Sequence, residues 1–139
     1  MPNPITVQTI VHAPRAFVWE CFIKPEHITA WTFASSDWES PSAENELRVG
    51  GKFKTRMQAK DGSAGFDFEG TYDVVDEHAR IEYTMSDGRH VIILFEDVPE
   101  GVRVTETFDP ENENPEDMQR DGWQAILDNL KKYVEARLN

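Results

Sequence analysis

The segment DGWQAILDNLKKYVEARLN, residues 121–139, decides the fold. Its apolar residues recur at intervals of three and four positions, the spacing that aligns side chains along one side of an α-helix. Pro115, followed by Glu116 and Asp117, is a helix start signal, so a helix is predicted over residues 116–137. Such a stripe needs a cover, which could be a sheet of the same chain, another protein, a membrane or a small molecule. The stripe consists of Trp123, Ile126, Leu127, Leu130, Tyr133, Val134 and Leu138.

The segments before this helix predict a sheet. ITVQTIV, residues 5–11, alternates as a first β-strand does, and two short helices beginning at Pro14 and Pro25 follow it. Residues 34–45 are polar and rich in turn formers, so a surface loop carrying Trp38 is predicted. From Leu47 to Phe108 the period is two. The order predicts an α+β fold in which a curved antiparallel sheet of about six or seven strands wraps the C-terminal helix.

The first long hairpin separates an apolar face from a charged face. KFKTRMQAK and FDFEGTYDVV place Phe53, Met57, Phe68 and Tyr72 on one side. The opposite side is basic on one strand and acidic on the other, so Arg56 is predicted near Glu69 and Lys52 near Asp73. This charged side is either a solvated outer face or a binding surface for an acidic partner.

The second hairpin contains Asp87-Gly88, a pair preferred in two-residue type I′ turns. With that turn, Tyr83, His90 and Ile92 share the face that is turned toward the helix. Val91, Ile93 and Phe95 then lie on the other face, so this strand is apolar on both sides and is predicted to be central or covered twice. In the last strand Val102, Val104, Glu106 and Phe108 alternate together.

Four segments together resemble a known family. They are APRAFVWECFIKPEHITAW (residues 13–31), RVGGKF (48–53), FEGTYDVVDEHARIEYTM (68–85) and DGWQAILDNLKKYVE (121–135). The chain resembles the activator-of-heat-shock-protein-ATPase homologue branch of the START-like superfamily, also called SRPBCC. The resemblance implies a helix-grip fold over residues 1–139 as a single domain, with a cavity between sheet and helix that holds lipids, hormones or polyketides in different branches. A chaperone contact is implied by family analogy only.

The predicted cavity has one unusual acid. Family members usually have an apolar residue where this chain has Glu106, and a carboxyl group on an apolar face must find a partner or raise its pKa. Glu106 and His90 are therefore weak candidates for catalysis, unless Glu106 lies at a strand end that water reaches. The candidate ligand-binding residues are Phe53, Met57, Phe68, Tyr72, Tyr83, Ile92, Glu106, Trp123, Ile126 and Leu130.

Composition argues against several classes of function. The formal net charge of −12 repels nucleic-acid phosphates and anionic lipids, and neither a secretory signal nor a membrane span is apparent. A single cysteine, Cys21, suits a reducing compartment, so a cytoplasmic protein is predicted, with the thiol buried and inert. No metal or cofactor motif is present, and His12, His27 and His78 are predicted to be solvated.

Three functions remain open. The favoured interpretation is a small protein, a monomer or weak homodimer, that binds an apolar or aromatic small molecule without catalysis. The second is an enzyme of the cyclase, hydratase or hydrolase type, which needs Glu106 and His90 at the same cavity together with a tyrosine. The third is a chaperone-associated interaction module, which needs an unusually large exposed apolar or charged patch.

Overall fold

An antiparallel sheet and a long C-terminal helix form the framework of the computed structural model, which describes residues 3–138. Two short helices follow the first strand, and the long helix ends the chain, as the sequence predicts. In chain order the elements are β1 (Ile5–Val11), α1 (Arg15–Ile23), α2 (Pro25–Trp31), β2 (Trp38–Glu39), β3 (Ala43–Asn45), β4 (Lys52–Ala59), β5 (Gly65–Asp76), β6 (Arg80–Met85), β7 (His90–Val98), β8 (Gly101–Phe108) and α3 (Glu116–Arg137).

The predicted helix-grip fold is confirmed, and one segment is more ordered than predicted. The eight strands of the described residues follow the order β1-β8-β7-β6-β5-β4-β2, and β3 also pairs with β4. Residues 34–45 were expected to be a loop, but β2 and β3 within it extend the sheet along β4. Short edge strands of two or three residues carry too little periodicity to be read from sequence.

The apolar stripe of α3 is covered by the chain's own sheet and short helices. Leu127, Leu130 and Val134 have no exposed surface, whereas Leu138, at the C-terminal end, is 48% exposed. Trp123 and Ile126 are only partly buried, so burial of the stripe is incomplete at these two residues. They line an open space between α3 and the sheet.

Polar side chains of α3 also cover the free edge of β1. An edge strand exposes unpaired backbone groups that can attract another chain. Here three helix side chains donate to alternate carbonyl groups of β1, so the helix is fixed to that edge as well as to the core. The donors are Arg120, Gln124 and Lys131, and the acceptors are the carbonyl oxygens of Thr6, Gln8 and Ile10, at 3.2, 3.1 and 2.6 Å.

The hairpin of β4 and β5 has the predicted faces but a different register. Arg56 pairs with Asp67 and Lys54 with Glu69, so the predicted pairing of Arg56 with Glu69 is wrong by two residues. The turn lies one residue earlier than that register requires, with Gly62 at a φ of 80° and its N–H donating to the carbonyl of Ala59. A shift by two residues leaves each side chain on its predicted face.

The register of the β6–β7 hairpin differs from the predicted register by one residue. This shift changes the site more than the two-residue shift does. Met85 N–H donates to the carbonyl of Arg89 at 2.7 Å, so the loop has three residues rather than two, and Gly88 takes a φ of 93°. A change of one residue turns every side chain of β7 to the opposite face. Val91, Ile93 and Phe95 therefore enter the core with 0, 1 and 2% exposure.

Candidate ligand-binding cavity

A cavity of about 440 Å³ lies between the concave face of the sheet and α3. Its volume is within the usual range for small-molecule sites, about 300 to 1,000 Å³. Its solvent-exposed lining residues, Phe66, Ser86, Asp87 and Asn114, place its mouth at the start of β5, the β6–β7 turn and the connector before α3. Of the residues predicted to bind a ligand, those on the cavity wall are Phe53, Met57, Phe68, Tyr72, Tyr83, Glu106, Trp123 and Ile126.

Aromatic rings from three strands, β4, β5 and β6, and from the helices form much of the wall. The ring of Phe53 contacts that of Tyr83 edge to face, with centroids 4.7 Å apart. Phe68 meets the ring of Trp123 at 6.0 Å, and Trp123 stacks on Phe108 at 3.9 Å. Gly70 makes room for this cluster, because a Cβ there would lie 2.7 Å from the carbonyl oxygen of Thr84 and 3.0 Å from the Phe53 ring.

Glu106 is the buried acid of the cavity. Its β8 position pairs with Val7 on one side and Ile93 on the other, so its carboxyl group rises from an apolar part of the sheet. The residue is 7% exposed, which excludes the water-covered strand end considered above. Burial raises the pKa of Glu106 to about 8, and no hydrogen bond to its carboxyl group occurs among residues 3–138. The side chain is therefore mostly a neutral acid at pH 7.

The two cavity tyrosines differ in their hydrogen bonding. Tyr72 donates its hydroxyl to Oδ1 of Asn45 at 2.5 Å, and Nδ2 of Asn45 donates to the carbonyl of Ile23 at 2.6 Å. The hydroxyl of Tyr83 has no partner within residues 3–138. Burial, with a smaller contribution from the charge of Glu106, holds the pKa of Tyr83 well above its usual value. Both hydroxyl groups thus stay protonated at neutral pH.

Residues that the sequence did not single out shape the mouth. The amide of Gln119 donates to the carbonyls of Glu111 and Asn114 at 3.1 and 2.9 Å, and its oxygen accepts from the N–H of Glu111 at 2.9 Å. This buried amide fixes the connector beside the cavity. Arg89 and Asp87 form an ion pair at 2.8 Å on the β6–β7 turn. Gln119 carried no signal in sequence, because a surface glutamine on a helix is common.

His90, Ile92 and Leu130 do not reach the cavity. The one-residue shift of β7 places His90 and Ile92 on the convex face, where Nε2 of His90 lies 3.1 Å from Oε1 of Glu82. Leu130 packs entirely within the core, because it lies deeper along the helix than Trp123 and Ile126. The acid and base that the catalytic hypothesis requires are consequently on opposite faces of the sheet.

A polar contact outside the cavity corrects the prediction for His27. Its Nδ1 lies 2.6 Å from the hydroxyl of Tyr133, and its side chain is 12% exposed rather than solvated. The two residues are 106 positions apart, so no local pattern could indicate the contact. Cys21 is buried as predicted, and burial raises the pKa of its thiol to about 11.

No metal site or membrane helix is apparent in the described part of the chain. Residues 3–138 contain no group of three or more histidine, cysteine or acidic side chains arranged to hold a metal ion. Among the same residues, no helix has the length and apolar character needed to cross a membrane.

Comparison with known proteins agrees with the fold and the sequence motifs. The family model described as "Activator of Hsp90 ATPase homolog 1-like protein" matches residues 12–135. Among proteins of curated function, none matches this sequence.

Solved structures provide close structural relatives. The solution structure of an AHSA1-like protein from Aeromonas hydrophila is 43% identical, with a TM-score of 0.90 over 96% of this chain and 93% of that one. A protein from Cytophaga hutchinsonii is 47% identical, with a TM-score of 0.83 over 99% of this chain and 95% of the other. A protein from Chromobacterium violaceum, 24% identical with a TM-score of 0.86 over 96% and 99%, shares the fold.

Proposed function

Because the chain belongs to the Activator of Hsp90 ATPase homolog 1-like family, we propose that it uses the family's helix-grip framework to bind an apolar or aromatic small molecule. One observation carries the proposal: a cavity of about 440 Å³ has aromatic walls and two buried polar groups, the Glu106 carboxyl and the Tyr83 hydroxyl, without hydrogen-bond partners among residues 3–138. Such a combination is typical of small-molecule sites, in which apolar walls supply affinity and isolated polar groups fix orientation.

Binding in this cavity requires little rearrangement of the framework. The Tyr72–Asn45 hydrogen bond and the Gln119 amide fix the walls and the mouth. A site whose walls are already in place avoids part of the entropic cost of ordering them when a ligand binds.

The proposal is tested with a neutral aromatic dye, Nile red, and two tryptophan substitutions of the same kind. Met57→Trp adds volume inside the cavity, whereas Ile92→Trp adds the same side chain to the convex face. The dye should bind the native protein and Ile92→Trp, with fluorescence enhancement, and should lose at least tenfold in affinity for Met57→Trp. Equal binding by all three proteins would contradict the proposal.

Native mass spectrometry gives an independent test on the protein as it is purified. A bound small molecule should appear as a mass added to the native protein and should be lost from Met57→Trp. The same spectra would check the proposed monomer or weak homodimer. The dye titration is the deciding test of binding in the cavity.

Location and partners are further parts of the proposal. A buried, unpaired Cys21 suits the reducing cytoplasm, and fractionation of cells that express the protein would test this. The family's printed description concerns an activator of Hsp90 ATPase. Stimulation of a chaperone's ATP hydrolysis by the purified protein would favour an interaction module, and no stimulation is expected if ligand binding is its activity.

A further inference from the structure

We infer that the cavity selects ligands that carry a protonated amine on an apolar or aromatic body, with the carboxylate of Glu106 pairing with the ammonium group. This inference rests on the proposed function, because it assigns the ligand class of the same cavity. It follows from three observations. Glu106 is a buried acid without a partner among residues 3–138, acidic groups stand at the mouth, and aromatic side chains line the walls.

Glu106 lacks a partner among residues 3–138. The residue is 7% exposed, reaches the cavity, and forms no hydrogen bond or ion pair with any of residues 3–138. Buried acids of ordinary structural role are paired, because an unpaired one costs free energy. A group left unpaired at the wall of a ligand-sized cavity is therefore placed to be paired by the ligand.

One basic side chain lies on the described part of the cavity wall. Among the described residues that line the cavity, Arg89 alone is a cation, and its Nε lies 2.8 Å from Oδ2 of Asp87. Arg89 is thus already engaged at the mouth, and the raised pKa of Glu106 is explained by burial without a contribution from Arg89. The interior has an acid without a counterion, which a cationic ligand would supply.

The charges around the cavity favour a cationic ligand over an anionic one. Asp87 and Glu111 stand at the mouth, and the whole chain has a formal net charge of −12, so the field attracts ammonium ions and repels carboxylates. Inside, the aromatic rings of Phe53 and Tyr83 line the cavity, and aromatic rings attract ammonium groups. A fatty acid or other organic anion would be repelled by these acidic groups, and its carboxylate could bind beside Glu106 only while Glu106 kept its proton.

The main competing ligand is a neutral molecule that accepts a hydrogen bond from protonated Glu106. The two classes differ in proton balance. An ammonium ligand pairs with the carboxylate, so the carboxyl proton of Glu106 is released to the buffer when the amine enters. A neutral acceptor keeps that proton in the complex. Affinity for the amine therefore rises with pH toward the pKa of free Glu106, while affinity for a neutral acceptor falls above it.

The other groups that face Glu106 should not take up or release protons when the ligand binds, so the measured proton release reports on Glu106. Tyr83 on β6 and Tyr72 on β5 are kept neutral by burial, which raises the pKa of each hydroxyl. From β1, β7 and α3, the neighbouring side chains are Val7, Ile93, Trp123, Ile126 and Gln119, none of which titrates. At the mouth, desolvation raises the pKa of Asp87. Hydrogen bonds and the charge of Arg89 together outweigh this effect, so the pKa is lowered overall.

The experiment compares phenylbutylamine, phenylbutanol and phenylbutyrate, which share one body and differ in their polar end. Isothermal titration calorimetry is run at pH 6, 7 and 8, in phosphate and in Tris, so that proton release is measured from the dependence on buffer ionisation heat. An alkylammonium group has a pKa of about 10.4 and stays charged over this range. The native protein, Glu106→Gln and Glu96→Gln are used. Glu96 is an exposed acid on β7, so its variant controls for the change in net charge.

The amine should bind at least tenfold tighter than the alcohol at pH 8, and the butyrate should bind weakest. Its affinity should rise about tenfold from pH 6 to pH 7, with nearly one proton released per amine bound at pH 7. Glu106→Gln should lose both the proton release and the pH dependence, while Glu96→Gln should retain them.

Three results would overturn the inference in different ways. If the alcohol binds as tightly as the amine, or if amine affinity falls between pH 6 and pH 8, the ligand class is wrong and the proposed cavity function remains. If none of the three probes binds the native protein while Nile red does, the ligand class is wrong and the proposed cavity function remains. If Nile red also fails to bind, both the ligand class and the proposed function fail.

Discussion

The ring of Trp123 lies stacked on the ring of Phe108, with centroids 3.9 Å apart and planes only 9° from parallel. This contact joins the first half of α3 to the end of β8, two positions beyond Glu106. The stack therefore fixes the helix over the part of the sheet that carries the buried acid. It connects the sequence segment that decides the fold with the cavity that the fold encloses.

Replacing Trp123 by alanine should lower the free energy of unfolding by about 2 to 4 kcal/mol. This loss is smaller than the largest losses for aromatic residues, because Trp123 is only partly buried. Trp123→Phe, which retains an aromatic ring, should recover more than half of the loss. Urea unfolding with far-ultraviolet circular dichroism would measure both. Equal losses for the two variants would contradict a stabilising role for the stack.

Leu130→Ala tests whether the chain's own core covers the helix stripe. Leu130 has no exposed surface, so the cavity left by truncation should cost about 2 to 5 kcal/mol in the free energy of unfolding. Lys132→Ala is the matched control, because Lys132 is exposed on the same helix and should change stability by less than about 0.5 kcal/mol. A similarly small effect of Leu130→Ala would show that the apolar stripe is buried by something other than its own chain.

Arg56 and Asp67 should be only weakly coupled. Nη1 of Arg56 lies 3.5 Å from Oδ1 of Asp67, and the two side chains are 39% and 36% exposed on the convex face. Exposed pairs contribute about 0.2 to 1 kcal/mol, reduced further by salt. A double-mutant cycle with Arg56→Ala and Asp67→Ala would measure this coupling. A coupling energy above about 2 kcal/mol would place that face in a buried interface and would favour the interaction module.

The two hairpins explain which parts of the site could be predicted from the sequence. β8 alternates strictly, so Val102, Val104, Glu106 and Phe108 could be assigned to one face, and the structure confirms their burial. β7 is apolar on both faces, so its composition cannot distinguish its two orientations. Its orientation depends on whether the loop at Gly88 has two or three residues.

Other parts of the structure depend on contacts between distant segments. The His27–Tyr133 hydrogen bond and the Tyr72–Asn45 hydrogen bond join residues 106 and 27 positions apart. β5 also contains an irregularity between Tyr72 and Val74, after which Val75 packs on the core. A single extra residue in a strand reverses the inward and outward alternation that follows it, and alternating sequence gives no warning of it.

The buried acid leads to a prediction about stability and pH. The pKa of Glu106 rises from 4.5 to about 8 on folding, so the folded protein binds this proton more tightly than the unfolded chain does. Stability falls with rising pH wherever the folded state holds more protons. The contribution of Glu106 is therefore retained below pH 4.5 and is lost progressively as the pH rises to about 8 and slightly beyond. One pKa unit corresponds to about 1.4 kcal/mol, so the loss is about 4 kcal/mol between pH 5 and pH 9.

Glu106→Gln isolates this effect, because glutamine has nearly the same shape and cannot ionise. The variant should have nearly the stability of the native protein at pH 5 and should be more stable by about 4 kcal/mol at pH 9, measured by urea unfolding at each pH. Glu96→Gln, at an exposed position of β7, should follow the native protein at every pH. If the stability difference between Glu106→Gln and the native protein stays constant from pH 5 to pH 9, Glu106 titrates as an ordinary surface acid. The cavity would then lack the neutral acid at pH 7 from which the ammonium ligand displaces a proton.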